Sequence, residues 1–178
     1  MNRDRFVVVG GGLLGCAAAL EIARRVGPGR VLVLERAIVG AEASSAAAGM
    51  LAPRKEARGR EPFRSIGIES LGLYPGWIAS LGADAGFLRP GLLSVVRAGE
   101  PVASPDPDAV WLDAAEAGRR EPGLAPDVVG AWHMAEEACV DPKRLVPAVH
   151  AAAVAAGVTF RTGEEVAAIE AGAVRLVG

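Results

Sequence analysis

The sequence is short of the residues on which several protein classes depend. Aromatic residues make up 4% of its 178 positions, and its two cysteines, Cys16 and Cys139, have no CxxC spacing and only two histidines to help them. We therefore expect neither a zinc site nor a disulfide framework, and a reducing, cytoplasmic setting fits best. A formal net charge of −2, from 19 Lys and Arg against 21 Asp and Glu, gives no overall field that would attract nucleic acid or an anionic membrane.

Long apolar runs are missing as well. No stretch reaches the roughly 20 apolar residues that a membrane span needs. The short apolar run near the N-terminus ends in glycines rather than in a small-residue cleavage site. We expect neither secretion nor a membrane span. What remains is the composition of an ordinary globular protein, 51% hydrophobic and 22% charged, with a length suited to one domain or a little more.

The first 35 residues predict a strand, a helix and a second strand. Residues 6–9 form an apolar, mostly β-branched run that is typical of a buried parallel strand. Residues 13–26 have helical spacing, and Gly27-Pro28-Gly29 ends that helix. Residues 31–35, VLVLE, predict the second strand. Together they indicate a βαβ unit with a right-handed crossover.

Three glycines join the first strand to the helix in the spacing of a dinucleotide-binding turn. Gly10, Gly12 and Gly15 form GxGxxG, in which the first glycine permits a tight turn, the second admits a pyrophosphate and the third allows close packing. The leading N–H groups of the helix would face the phosphates. Glu35, 20 residues beyond Gly15, ends the second strand, where a carboxylate accepts hydrogen bonds from ribose hydroxyls and repels a 2′-phosphate. The sequence thus predicts dinucleotide binding and disfavours NADP, with FAD and NAD both open.

The rest of the chain predicts a mixture of short helices and strands. Residues 40–51 indicate a loop leading into a short helix, and residues 52–62 a solvated connection. A helix is predicted over residues 63–81, kinked or interrupted at Pro75. Further strands are predicted at residues 87–88 and 92–96 as a pair, and at 128–134, 158–161, 164–170 and 173–177, with helices starting at the capping residues Asp113 and Asp141.

Residues 6–51 resemble the N-terminal part of glycine oxidase and of the wider D-amino-acid-oxidase-like FAD enzymes. The similarity continues through LGLYPGWIASL, WLDAAEA and VDPKRLVPAVHAAAVAAGV, and its most specific segment is GAEASSAAAGMLAP. The resemblance implies an α/β fold: a Rossmann-like FAD-binding domain of the glutathione-reductase type with the first part of an interleaved α+β substrate domain. We expect residues 1–82 and 139–178 to form the FAD-binding domain and residues 83–138 the partial substrate domain.

The resemblance also implies FAD as the cofactor and a set of residues that contact it. Beside the three glycines, these are Leu13 and Leu14 in the phosphate turn, Glu35 and Arg36 at the ribose and adenine, Ala43, Ser44 and Ser45 near the pyrophosphate, Ala48, Gly49 and Met50 beside the isoalloxazine, and Val166 at the adenine through its main chain. Family members often carry a hydroxyl where Ala43 stands, so one side-chain hydrogen bond is expected to be lost. Ser44 and Ser45 fit the capping of a short helix equally well, and Met50 fits a core position.

The activity implied by the resemblance is the oxidation of glycine, or of another small amine or D-amino acid. A hydride passes from the substrate Cα to flavin N5, water hydrolyses the imine, and dioxygen becomes hydrogen peroxide; in some bacteria this serves thiamine biosynthesis. The chain matches only about the first half of such an enzyme, so the substrate-clamping arginine is not in it and no catalytic residue is assigned. We expect a second polypeptide to supply the C-terminal half, although a cleavage product or truncation would look the same. An amine dehydrogenase subunit and a non-catalytic dinucleotide-binding subunit remain alternatives.

Overall fold

The structure is a computed structural model that describes residues 6–57 and 59–177. Arg58, in the segment predicted as a solvated connection, lies outside the described residues, as do the first five residues and Gly178. Over the described ranges no helix is long and apolar enough to cross a membrane. The chain forms two compact units: residues 6–49, 78–86 and 141–177 belong to the first, and residues 50–57, 59–77 and 87–140 to the second.

Helices and strands alternate along much of the chain. In chain order they are β1 (Phe6–Val9), α1 (Leu13–Val26), β2 (Val31–Glu35), α2 (Ala43–Ala46), β3 (Met50–Leu51), α3 (Pro53–Glu56), α4 (Phe63–Ala79), β4 (Leu92–Arg97), β5 (Val110–Asp113), α5 (Ala114–Arg120), β6 (Val128–Met134), β7 (Ala138–Cys139), α6 (Pro142–Ala155), β8 (Thr159–Thr162), β9 (Val166–Glu170) and β10 (Ala173–Leu176).

The first unit is built on a three-stranded parallel sheet in the order β1-β2-β8. Helix α1 connects β1 to β2, as the sequence predicts, and packs against α6. Both helices bury small and branched apolar side chains, with Ala19 and Leu20 on α1 and Leu145 and Val149 on α6 each no more than 1% exposed. The small side chains allow the two helix axes to approach closely. Strands β9 and β10 form a separate antiparallel hairpin in this unit.

The ends of the helices follow the predicted capping chemistry. Gly27 ends α1 with a positive φ of 90°, and basic residues occupy the last turn, where they favour the negative end of the helix dipole. The Asp141 side chain accepts the Lys143 N–H at 2.9 Å, with Pro142 at the first helical position of α6. The Asp113 side chain likewise accepts the Glu116 N–H at 2.8 Å at the start of α5.

The second unit contains a three-stranded antiparallel sheet in the order β4-β6-β5 and a short ribbon in which β3 pairs with β7. Trp111 and Trp132 are cross-strand partners, and their rings meet edge to face at 5.2 Å. Leu112, Ala117 and Ala131 are buried together between β5, β6 and α5. This small core holds α5 on one face of the sheet.

Several elements differ from the sequence prediction. Helix α3 lies in the segment predicted as a solvated connection, and β5 was not predicted, because both depend on partners far away in sequence. Leu88 does not pair with β4, as a pair of neighbouring strands would require; it bridges to Cys139 instead. Helix α4 continues through Pro75 and ends at Ala79.

Candidate dinucleotide site

A cavity of about 380 Å³ lies in the first unit at the carboxyl ends of β1 and β2. Its size falls in the range of roughly 300–1,000 Å³ that small-molecule sites occupy, and the strand ends of a parallel sheet are where such sites form. The predicted site residues that line it are Gly10, Gly12, Glu35, Arg36, Ala43, Ser44 and Val166. Val9, Leu34, Ile38, Gly40, Ala41, Glu42, Glu164 and Glu165 complete the lining.

The glycine turn has the geometry that its spacing predicts. Gly10 has a φ of +96°, which side chains disfavour, and its N–H donates to the Leu34 carbonyl at 2.8 Å. A Cβ on Gly15 would lie 1.9 Å from the Gly10 carbonyl oxygen, so no side chain fits there. A Cβ on Gly12 would lie 3.0 Å from Ser44 Oγ, at the cavity wall. The turn therefore presents bare main chain to the cavity.

The start of α1 takes its cap from outside the helix. Gly12, the N-cap residue, has no side chain to accept a leading N–H group. Ser44 Oγ accepts the Leu13 N–H at 2.9 Å instead, from 31 residues away. The helix is 14 residues long, so its aligned peptide dipoles favour negative charge at this end. The start of α1 and its favourable field thus lie beside Gly12 and Ser44, which line the cavity, whereas Leu13 itself is not one of the lining residues among the described ones.

Glu35 is tied to the turn through both carboxylate oxygens. Its Oε2 accepts the Gly11 N–H at 2.7 Å and its Oε1 accepts the Ala37 N–H at 2.9 Å, while the residue is only 9% exposed. Burial alone would raise the pKa of Glu35, but the N–H groups of Ala37 and Gly11, with the Arg36 charge, outweigh it and hold the pKa below its usual value. The carboxylate stays ionised, and each oxygen retains a lone pair for a hydroxyl donor.

The part of the cavity around the carboxyl end of β2 is rich in acidic residues. The Arg36 guanidinium binds the Glu42 carboxylate in a fork, with N–O distances of 2.7 and 2.6 Å from one terminal nitrogen and 3.2 Å from Nε. The Glu164 N–H donates to the Glu35 carbonyl at 3.0 Å, which brings Glu165 into the lining. Four acidic side chains and one paired arginine make this part of the cavity unfavourable for an additional phosphate group.

Other predicted site residues lie elsewhere. Leu14, the second residue of α1, is 85% exposed. The Ser45 hydroxyl donates to the carbonyls at the start of its own short helix, at 2.9 and 3.0 Å. Ala48, Gly49 and Met50 do not line the cavity as the described residues define it. Met50 belongs to the second unit, where it pairs with Cys139.

Sequence reasoning missed Gly11, Glu42 and the two acids before Val166. Gly11 explains why three glycines are consecutive: a Cβ on it would lie 3.2 Å from the Glu35 Cβ and 3.3 Å from Oε2. The signal for Gly11 was present, as the first x of GxGxxG is itself glycine. Glu164 and Glu165 carried no local signal, because they reach the cavity only through sheet pairing.

Cys16 lies beneath the turn. Its thiol is fully buried and donates to the Gly11 carbonyl at 3.3 Å. Burial first, and the nearby Glu35 charge second, raise the pKa of Cys16 to about 11. The thiol is protonated at neutral pH and is a packing residue rather than a nucleophile.

Comparison with known proteins adds the family. The model of a family described as FAD dependent oxidoreductase matches residues 5–178. The bifunctional protein ThiO/ThiG of Synechocystis sp. is 35% identical over 167 residues, which are 92% of this chain and 25% of that protein. The glycine oxidase of Geobacillus kaustophilus is 31% identical over 178 residues, covering 88% of this chain and 45% of that protein.

Solved structures agree with these matches. The crystal structure of the Geobacillus kaustophilus glycine oxidase has a TM-score of 0.79 and 30% identity, covering 90% of this chain and 47% of that one. The Bacillus cereus glycine oxidase has a TM-score of 0.81 at 23% identity, which supports the fold alone. The chain spans about a quarter of the bifunctional protein and under half of the oxidase. The predicted fold class, the predicted FAD cofactor and the resemblance are confirmed.

Proposed function

Because this chain belongs to the FAD dependent oxidoreductase family, we propose that it binds the adenosine and pyrophosphate of FAD in the cavity of the first unit, as part of an enzyme that oxidises glycine or another small amine. The observation that carries the proposal is the bare main chain of Gly10 and Gly12 in the cavity lining, next to the start of α1, where Ser44 of the same lining accepts the Leu13 N–H. Phosphate groups bind at such helix starts through N–H donors and the helix dipole.

Each part of the site has a role in holding the cofactor. The pyrophosphate would lie over Gly12, with the Leu13 N–H as donor and the Ser44 hydroxyl turned to donate as well. Glu35, held ionised by two N–H groups, would accept the ribose hydroxyls. The main chain at Val166 would contact the adenine, and Ala48, Gly49 and Met50 would pass beside the flavin ring, as the resemblance implies.

FAD, when bound, would supply the redox chemistry of the proposed reaction, in which a hydride from the substrate Cα is accepted, the resulting imine is hydrolysed by water, and two electrons pass on to dioxygen to give hydrogen peroxide. The described residues bind and orient the cofactor, which places the reacting ring atom against the substrate.

A further segment of polypeptide would complete the enzyme. Strand β1 lies at the edge of its sheet and pairs, among the described residues, with β2 alone. Its side chains are apolar on both faces, with Phe6, Val7 and Val9 each 40–44% exposed. Such a strand is typical of a sheet interior, and an open apolar edge favours pairing with another segment. We propose that this segment, in the same longer chain or in a separate one, also supplies the group that binds the substrate.

The test is the visible spectrum of the purified protein, alone and with added FAD. Retention of a flavin band near ~450 nm that bleaches with glycine or sarcosine is expected for the enzyme. Peroxide release under air would identify an oxidase, whereas bleaching without peroxide would identify a dehydrogenase. A protein that takes up no flavin, even together with its completing polypeptide, would refute the proposal.

A further inference from the structure

Glu137, in the second unit, is a carboxylic acid buried with only part of its hydrogen bonding met. The residue is 0% exposed. Its Oε1 accepts the Arg54 N–H at 2.8 Å, while Oε2 has no hydrogen-bond partner among the described residues. Burying a carboxyl group costs free energy unless the group is paired or hydrogen-bonded. The burial of Glu137 therefore needs a structural or functional reason.

The one hydrogen bond reaches a segment that has no local cap. Helix α3 starts at Pro53, which has no N–H, and its N-cap residue Ala52 has no side-chain acceptor. The first N–H of the helix is therefore that of Arg54, and its acceptor comes from Glu137, 83 residues away. Without Glu137 this part-buried donor would lose its acceptor.

The main chain at Glu137 is held by hydrogen bonds through both its N–H and its carbonyl group. The Glu137 N–H donates to the Met134 carbonyl at 3.4 Å, and its own carbonyl accepts the Gly91 N–H at 3.2 Å. Directly after it, β7 pairs with β3, so that Leu51 lies opposite Ala138. Strand β7 thus pairs with β3, and Glu137, the residue just before β7, binds the chain just after β3.

The charged groups around Glu137 come from two other elements. Arg54 of α3 attracts its charge, and Asp106, 2% exposed and paired with Arg64, repels it. Burial is the largest effect, and it leaves the pKa of Glu137 above its usual value despite the hydrogen bond from Arg54 and the nearby Lys55 N–H, which itself donates to the Ala52 carbonyl. A protonated carboxyl keeps a carbonyl oxygen that accepts a hydrogen bond, so the Arg54 contact survives either protonation state.

We propose that Glu137 is a positioning residue that fixes the main chain from Met50 to Arg54. This segment starts at Met50 and directly follows Ala48 and Gly49. The proposed function places these three residues beside the flavin ring. The part of the inference that concerns flavin rests on that proposed function; the part that concerns the Arg54 N–H does not.

Amide hydrogen exchange at Arg54 tests the structural part. Glu137→Ala should accelerate exchange of the Arg54 amide about tenfold or more, because its acceptor is lost. Glu137→Gln keeps an acceptor oxygen and should stay within about threefold of the wild type. Glu137→Leu, which fills similar space without an acceptor, serves in place of the alanine variant if that variant does not fold, and it should accelerate exchange to the same extent. The matched control is Glu136→Ala, at the neighbouring position, whose side chain is 64% exposed and pairs with Arg89. Unchanged exchange in Glu137→Ala, or equal acceleration in Glu136→Ala, would overturn the inference, as would unprotected Arg54 exchange in the wild type.

The bound-flavin spectrum tests the second part in the same preparations. In the FAD-loaded protein, Glu137→Ala should shift or broaden the band near ~450 nm, while Glu136→Ala and Glu137→Gln should leave it as in the wild type. An unaltered band in Glu137→Ala, with Arg54 exchange accelerated, would overturn the link to the flavin. A wild type that takes up no flavin while the Arg54 result holds would count against the proposed function and leave the positioning of the segment intact.

Discussion

Glu35 and Glu137 are both buried glutamates, one in each compact unit, and their surroundings differ in hydrogen-bond donors, in neighbouring charge and in depth. Both oxygens of Glu35 accept main-chain N–H groups, whereas only one oxygen of Glu137 does. The pKa of Glu35 lies below its usual value and that of Glu137 above it, and in each case burial is the largest raising effect. Hydrogen-bond donors and neighbouring charge, together with depth, thus decide whether a buried acid keeps its charge.

The difference matches the uses we propose for the two residues. An acceptor for ribose hydroxyls works best as an anion, and Gly11 and Ala37 keep Glu35 in that form. A group that only has to hold the Arg54 N–H needs one acceptor oxygen, which either protonation state provides. Four predictions test the comparison, beginning with the one that should have the largest effect.

Replacing Glu35 should cost more than replacing Glu137. Glu35→Ala leaves the N–H groups of Gly11 and Ala37 without acceptors, at about 1–3 kcal/mol each in the free energy of unfolding, and it should abolish FAD binding. Glu137→Ala leaves one N–H unpaired and also removes an incompletely satisfied carboxyl, so we expect a loss of about 1–2 kcal/mol. Urea denaturation of both variants measures the difference. Equal losses would show that donor count does not separate the two sites.

Gly11→Ala should disturb Glu35 without removing it. The new methyl group would lie 3.2–3.3 Å from the Glu35 side chain, so the carboxylate has to move by a few tenths of an ångström. We expect a loss of about 1 kcal/mol in stability and about tenfold weaker FAD binding. Gly118→Ala in α5, which meets nothing within 4 Å, is the matched control and should be neutral or slightly stabilising. FAD titration followed by flavin fluorescence distinguishes the two.

The two glutamates should change stability with pH in opposite directions. With its lowered folded-state pKa, Glu35 contributes stability above the ordinary glutamate pKa, and this is lost as pH falls through the folded-state value. Between its ordinary and its raised pKa, Glu137 is protonated more in the folded than in the unfolded chain, so stability falls as pH rises through that interval. Glu137→Gln should remove that fall while Glu136→Gln retains it. Urea midpoints from about pH 4 to 8 provide the measurement.

The smallest effect should be found at Cys16. Its pKa of about 11 is due first to burial and second to the Glu35 charge, so Glu35→Gln should lower it slightly and leave it well above neutrality. Thiol alkylation of the native protein at pH 8 should therefore spare Cys16 in both proteins, with Cys16 of the urea-unfolded chain as the reactive control. Rapid labelling of Cys16 in the native wild type would contradict its burial.

Local sequence patterns predict the glycine turn of the first unit better than they predict helix α3 and its contact with Glu137 in the second unit. The β1-α1-β2 unit, its glycines and Glu35 follow from strand, helix and turn signals within 35 residues. Helix α3 has no such signal, because the acceptor of its first N–H lies 83 residues away. Val166 and the flavin-side role of Ala48 to Met50 came from family resemblance, and their contacts with FAD, like the domain boundaries, stay predictions.

Ser44 has a consequence for the energetics of cofactor binding. Its hydroxyl already accepts the Leu13 N–H, so this donor is paired within the first unit itself. Under the proposed function, a phosphate oxygen at this amide would replace the hydroxyl rather than add a wholly new bond. The net gain from this one donor would then be the difference between two hydrogen bonds, which is smaller than either bond alone.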